Sequence, residues 1–511
     1  MTLDAVLAAI ARRRVEIDRH PLYTWMASGD APLEQRFVYA PLFANFILGF
    51  RDMNRWFMRY PEPSSIYEKA INAHTEEDET HSALFLEDWR ELGLDAQLGW
   101  GVQDTIAWYY AASETEVFRR YAMRIIQMCV ETPDPLVRFG FMEAIETCGH
   151  VFFGHTAPLA EELARRTGSA LRYFGPFHLA KETGALIDAD DVFESVILTA
   201  EQRRQAIELV EEVFDMFTVK NDHLLRYALA ITSGSVVLQP ASAALIRLTL
   251  GESEEVPPIH SIELAAPSVA HRPMAELVHK RMQGLRMHPF MDWVATPTAD
   301  PAGRLREYLP PWIPDIMGYA DLMTYALPFT RPRNAVERAL NRHAILLTSH
   351  HRLFIKDAAA LDLDGALRWT AGETLNFLGR GEATELQRRS MALFVDIAFR
   401  YPSPVVRYWL MEALQRSGEA FFHQGSKLAR AAETQLGARL DYLADRHRLA
   451  HPTLGPDPEA DAVVFTRLPV TAHERQAALR SINTVFDRVE NQFDQSLQEV
   501  EPRPATSIAT S

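Results

Sequence analysis

AINAHTEEDETHSALFLEDWRELGLDAQLGW, residues 70–100, and ALNRHAILLTSHHRLFIKDAAALDLDGALRW, residues 339–369, are one passage written twice. Shifted by 269 positions, His74 falls on His343, His81 on His350, and Leu94-Asp95 on Leu363-Asp364. Upstream, the register holds without a gap to Asp52 and Asp321. Downstream it pairs PLVRFGFMEAI from Pro135 with PVVRYWLMEAL from Pro404, so that Glu143 meets Glu412, and it still pairs His178 with His447. Beyond one inserted residue, HPLYTW from His20 matches HPFMDW from His288. A repeat this long is a duplicated domain, not a solenoid unit. The chain is therefore its own comparison: residues kept in both copies can be set against residues lost from one.

The duplication divides the 511 residues into a first domain, 1–250, and a second, 268–500. The acidic, proline-bearing stretch GESEEVPPIHSIELAAP from Gly251 reads as the linker, and 501–511 as a disordered tail. A net charge of −16 argues against nucleic acid, whose phosphates would be repelled. The two cysteines, Cys129 and Cys148, both lie in the first copy and cannot be a duplicated disulfide framework, which points to a reducing cytoplasm. The start, MTLDAVLAAIARRRVEIDRHP, reads as an amphipathic helix and not a signal peptide. No apolar stretch is long enough to span a bilayer, so no membrane partner is expected.

Apolar residues recur at helical spacing almost throughout, which predicts an all-α fold. In the first copy the pattern predicts helices near 2–18, 33–59, 64–92, 101–111, 114–130, 135–150, 156–167, 170–184 and 199–231, with Asp191 and Thr199 as caps of the last approach. On the helix carrying HTEEDETH, positions 74, 77, 78 and 81 share one face, which would align His74, Glu77, Asp78 and His81. Glu143 sits among apolar neighbours in RFGFMEAIE, and His178 and Glu182 are one turn apart. Buried ionisable groups of this kind are paired or bind metal. Mixed imidazole and carboxylate donors from several helices suit iron or manganese. The competing reading is a shared structural network of hydrogen-bonded histidines and glutamates. Arg119-Arg120, matched by Arg388-Arg389, offer a seat for a substrate carboxylate or a salt bridge to a neighbouring helix. Tyr109, Tyr110 and Tyr173 lie near these helices as pocket or packing residues.

HTEEDETHSALFLEDWRELGLD, MEAIE and YFGPFHLAKETG resemble the ligand-bearing helices of the haem-oxygenase-like di-metal oxidase/oxygenase superfamily, which also includes thiaminase-II-like and quinone-synthase-like folds. The resemblance implies two tandem haem-oxygenase-like helical bundles packed as an intramolecular pseudo-dimer, with a homo-oligomer open. It implies non-haem iron, one or two ions, with manganese as the substitute. The ligands would be Glu77, His81, Glu143, His178 and Glu182, with His74 beside them. It also implies dioxygen chemistry on a small metabolite such as an amine, amino acid or fatty acid. The last family histidine falls on Ala185, which leaves open one metal or a labile second one. In the second copy Leu346 and Leu347 replace Glu77 and Asp78, His451 replaces Glu182, and Leu454 stands opposite Ala185. That copy keeps His343, His350, Glu412 and His447 as a second, degenerate site. Two other readings stand beside this one: a non-catalytic helical scaffold or binding protein with a relic site, and a metal-free enzyme of the thiaminase or quinone-synthase type.

Overall fold

The computed structural model describes residues 3–182, 193, 196–234, 269–348, 350–446, 465 and 468–500, and the side chains of all of these but Glu182, Leu346 and His350. The expected linker, the expected tail and the Asp191 cap lie outside the described residues. Apart from an isolated bridge at Ile197, those residues form helices and turns, so the chain is all-α as its periodicity predicts. None of the described helices is long and apolar enough to cross a membrane.

The chain forms two compact units. The first comprises residues 1–244 together with Trp369–Gly381. Its helices are α1 (Asp4–Asp18), α2 (Pro21–Ser28), α3 (Ala40–Met53), α4 (Ile66–Asp78), α5 (His81–Glu91), α6 (Leu94–Leu98), α7 (Val102–Tyr110), α8 (Glu116–Glu131), α9 (Pro135–Thr167), α10 (Pro176–Glu182) and α11 (Ala200–Thr232). The second comprises 245–368 and 382–511. It holds α12 (Arg272–Arg286), α13 (Pro289–Ala295), α14 (Pro301–Asp321), α15 (Ala335–Leu347), α16 (His350–Ala360) and α17 (Leu363–Leu367). A further helix, α18 (Ala371–Arg380), belongs to the first unit, and α19 (Glu385–Arg400), α20 (Pro404–Leu436) and α21 (Ala472–Val500) complete the second.

Local chemistry accounts for most boundaries. Ser65 and Glu68 form a reciprocal capping box at the start of α4, and Thr199 with Gln202 does the same for α11. Asp134 caps α9, Pro135 occupies its first position, and Gly168 ends it at φ +82°. Several expectations change: the helix expected near 170–184 begins only at Pro176, and the run over 33–59 is a 3-10 turn, an α-helix and a π-helical turn in succession. The run predicted as one helix over 64–92 breaks at Glu79-Thr80, where tightened turns bring the Thr80 N–H to the Glu77 carbonyl. The runs predicted over 135–150 and 156–167 are one continuous helix, with Pro158 inside it.

The same side-chain clamps recur in both units. Asn72 brackets the backbone of Tyr60 through its amide, and Asn341 brackets Phe329. Arg138 donates to the carbonyls of Phe57 and Met58 at the end of a π-helical turn, and Arg407 to those of Leu327 and Pro328. His20 caps α2 through Nδ1 and meets Asp222 through Nε2; His288 caps α13 and meets Asp494. Each satisfies backbone groups that burial would otherwise leave without partners. Arg119 and Arg388 belong here too. Arg119 donates to the Ala112 carbonyl and the Thr115 hydroxyl, and Arg388 to the Thr384 hydroxyl, so both serve their own chain turns.

Helix α18 enters the first unit at short range. Gly372 N–H donates to Asp95, which also accepts from the Trp89 indole. A Cβ at Gly379 would lie 2.7 Å from Leu48 Cβ, so only glycine lets this helix approach α3 so closely.

Candidate metal centre

Four helices of the first unit converge on one buried polar point. From α4 come His74 and Asp78, one turn apart and both nearly sealed from solvent. From α9 comes Glu146. His74 Nε2 lies 3.3 Å from Asp78 Oδ2 and 3.2 Å from Glu146 Oε1. One ligand atom from each of the three lies within 4.8 Å of the others, close enough to share one cation. His81 opens α5 with Nδ1 at 3.7 Å from Asp78 Oδ1. From α10 comes His178, whose ring packs edge-on to His81 at 4.1 Å between centroids.

His178 is aimed by a second layer of bonds. Its Nδ1 lies 2.9 Å from the Tyr173 carbonyl, a contact that places the proton on Nδ1 and turns Nε2 away from that backbone. Asp88, fully buried on α5, fixes the strand of backbone around Tyr173 by accepting from the N–H groups of Arg172 at 2.6 Å and Phe174 at 2.8 Å. In the second unit Asp357 accepts in the same way from Leu443.

Electrostatics sharpen the picture. Burial raises the Asp78 carboxyl, and repulsion from Glu146 raises it further, against the opposing pull of His74 and His178. Burial holds the His81 imidazole neutral, aided by the neighbouring His178, His74 and Lys181. His178 is lowered chiefly by burial. Two carboxylates and three imidazoles, two of them held neutral, make a donor set that a divalent cation would stabilise.

The sequence-derived candidates divide. His74, His81 and His178 come together. Glu143 stands on α9 one turn before Glu146, partly buried. Glu77 is not part of the cluster: its side chain is 37 % exposed and its Oε1 lies 3.9 Å from Lys181 Nζ. On α4 Glu77 and Asp78 fall on opposite sides of the line through His74, and Glu77 is on the side that meets Lys181 while Asp78 is on the side that meets His74 and His81. The side chain of Glu182, and Ala185, lie outside the described residues. Glu146 was missed altogether, although it follows Glu143 by one helical turn.

The second unit shows what the cluster becomes without its carboxylates. Gln415 occupies the place of Glu146 and lies 3.0 Å from His343 Nε2, while Leu347 fills the place of Asp78. Glu412 is neutralised by Arg416 at 2.8 Å, where the first copy has Thr147. The His350 side chain, His447 and His451 lie outside the described residues. Among the described residues, the only metal-capable cluster of three or more is the one in the first unit.

A cavity of about 60 Å³ adjoins the cluster. His81, Glu146 and His178 form its polar wall, and Phe43, Phe152 and Phe153 contribute to the apolar remainder. Tyr173 also lines it, whereas Tyr109 and Tyr110 pack elsewhere in the core. No family model matches the chain, and no curated protein matches it.

Proposed function

We propose that the first unit is an iron-dependent oxidase or oxygenase of haem-oxygenase-like type that uses dioxygen on a small metabolite. The observation that carries the reading is the convergence of His74, Asp78 and Glu146, bordered by His81 and His178, at the wall of an aromatic cavity. His74, Asp78 and Glu146 would hold the ion, with manganese as the alternative metal. Bound there, ferrous iron supplies one-electron chemistry toward dioxygen and an open coordination position.

The chain's own residues do the rest. Asp78 and Glu146 offset the cation's charge in a place where water cannot. The Tyr173 carbonyl fixes the tautomer of His178, leaving Nε2 without the proton. Phe43, Phe152 and Phe153 keep bulk water from the reacting groups, and the small volume restricts the substrate to a compact molecule. The second unit, with Gln415 and Leu347 in place of the carboxylates, serves as a structural partner.

Elemental analysis after anaerobic reconstitution with ferrous iron tests this reading. Full-length protein should retain about one iron per chain, with His74→Ala and Glu146→Gln losing most of it and His343→Ala losing none. Equal iron content in all four proteins would overturn the assignment. A second reading, a metal-free hydrogen-bonded scaffold, is favoured by one fact: the two separations from His74 Nε2, 3.2 and 3.3 Å, are also those of a His–carboxylate network.

A further inference from the structure

Lys220 on α11 is used by nothing described so far. It is 5 % exposed and lines the cavity shared with His81, Glu146 and His178. Three aromatic rings surround its Nζ: Phe217 at 3.8 Å, Phe43 at 5.5 Å and Phe152 at 5.7 Å from their centroids. Among the described residues it makes no hydrogen bond and no ion pair. Its one charge-coupled neighbour is Cys148, a buried thiol that burial keeps protonated. Aromatic faces attract an ammonium but offer no acceptor for its protons, and burial removes water. The amine is accordingly lowered from 10.5 to about 7, chiefly by burial.

The duplicate shows that the fold does not require a lysine here. His20–Asp222 and His288–Asp494 align the last helices, and on that alignment Lys220 corresponds to Gln492. Gln492 is fully buried and donates to Asp315, which stands where the first copy has Phe46. The second unit thus pairs its polar side chain, whereas the first leaves a primary amine facing the cavity. Lysine itself is scarce: the chain has six lysines among its 52 basic residues. An arginine would stay charged in the same place; a lysine can become a nucleophile.

We propose that Lys220 is a covalent capture site for small aldehydes or ketones, which it binds as an imine inside the aromatic cavity. The Nζ lone pair adds to the carbonyl carbon while the carbonyl π pair moves to oxygen, and the nitrogen proton passes to that oxygen. The carbinolamine then expels its hydroxyl as water, the second nitrogen proton leaves, and the C=N bond forms. One water is released and nothing is oxidised or reduced. The capture needs no metal, so its test is independent of the iron assignment.

The full-length protein, without added iron, is treated at neutral pH with butyraldehyde and sodium cyanoborohydride, which reduces an imine to a stable secondary amine. Peptide mass spectrometry then compares Lys220 with Lys69, Lys181, Lys280, Lys356 and Lys427. The expected result is butylation at Lys220 on the order of a thousandfold faster than at the others, set by its larger neutral fraction. Lys220→Met and Lys220→Gln, the latter copying the duplicate, should lose that fast phase while keeping the circular dichroism of the parent. Labelling confined to the other lysines overturns the proposal. So does binding of butyrate with uptake of a proton by Lys220 and no imine adduct, which would make the amine a carboxylate anchor instead.

Discussion

Removing the Asp88 side chain should loosen the seat of His178 by a calculable amount, and removing Asp357 gives the matched control. Asp88 accepts two buried backbone N–H groups, from Arg172 and Phe174. In Asp88→Ala both donors lose their acceptor, at about 1–3 kcal/mol each. Part of that returns, because the carboxylate is itself strained by burial, its pKa raised to about 6. At pH 7.5 it is ionised, and the net local cost is on the order of 3 kcal/mol, or roughly a hundredfold in opening equilibrium. Native-state hydrogen exchange on a peptide spanning 171–178 reads this directly. Asp88→Ala should lose about two decades of protection there, and ferrous iron affinity should fall with it. Asp357→Ala should lose comparable protection around Leu443, where the same bond recurs, and leave iron binding intact. Unchanged protection at Arg172 and Phe174 in Asp88→Ala would refute the assignment of Asp88 as the clamp that aims His178.

Three further outcomes are expected. Gln415→Glu together with Leu347→Asp should give the second unit a carboxylate pair beside His343, raising iron uptake above that of the parent; isotope-dilution metal analysis checks it. Lys220→Met should flatten the pH dependence of the first unit's stability. The unfolded lysine holds its proton up to 10.5 and the folded one only to about 7, so the parent gains stability as pH rises through that window and is penalised below it. The variant's advantage is then on the order of 5 kcal/mol at most at pH 6, vanishing near pH 10.5, as denaturant titrations across pH would show. Asp315→Asn should act in the opposite window. Burial raises this carboxyl from 3.8 to about 8, so folding favours its protonated form and stability declines as pH rises between those values. The variant should match the parent below pH 4 and exceed it increasingly up to pH 8 in thermal melts of the second unit.

The helical class and the doubling were legible in the sequence because both rest on periodicity and repetition, which survive drift. The centre was only half legible, for a physical reason. Residues kept in both copies turn out to be mostly clamps on backbone groups: Asn72 and Asn341, Arg138 and Arg407, Asp88 and Asp357. A fold needs those wherever it occurs. Asp78 and Glu146 are needed only where charge is to be held, so the second copy could exchange them for Leu347 and Gln415. Agreement between the copies therefore marked architecture and the cluster's histidines alike, and only disagreement marked its carboxylates. The break after Asp78 was not legible either, because Glu79-Thr80 carries no proline or glycine to announce it.

Helix α18 bears on how this chain can be cut. It is encoded more than a hundred residues after the rest of the first unit, yet Gly372 and Gly379 set it against Asp95 and Leu48. A gene fragment stopping at the apparent midpoint would omit it, uncovering the apolar side of α3 and taking a hydrogen bond from Asp95. Dissection by half-genes would thus yield a misleading invalid, whereas inactivating substitutions within the intact polypeptide would not.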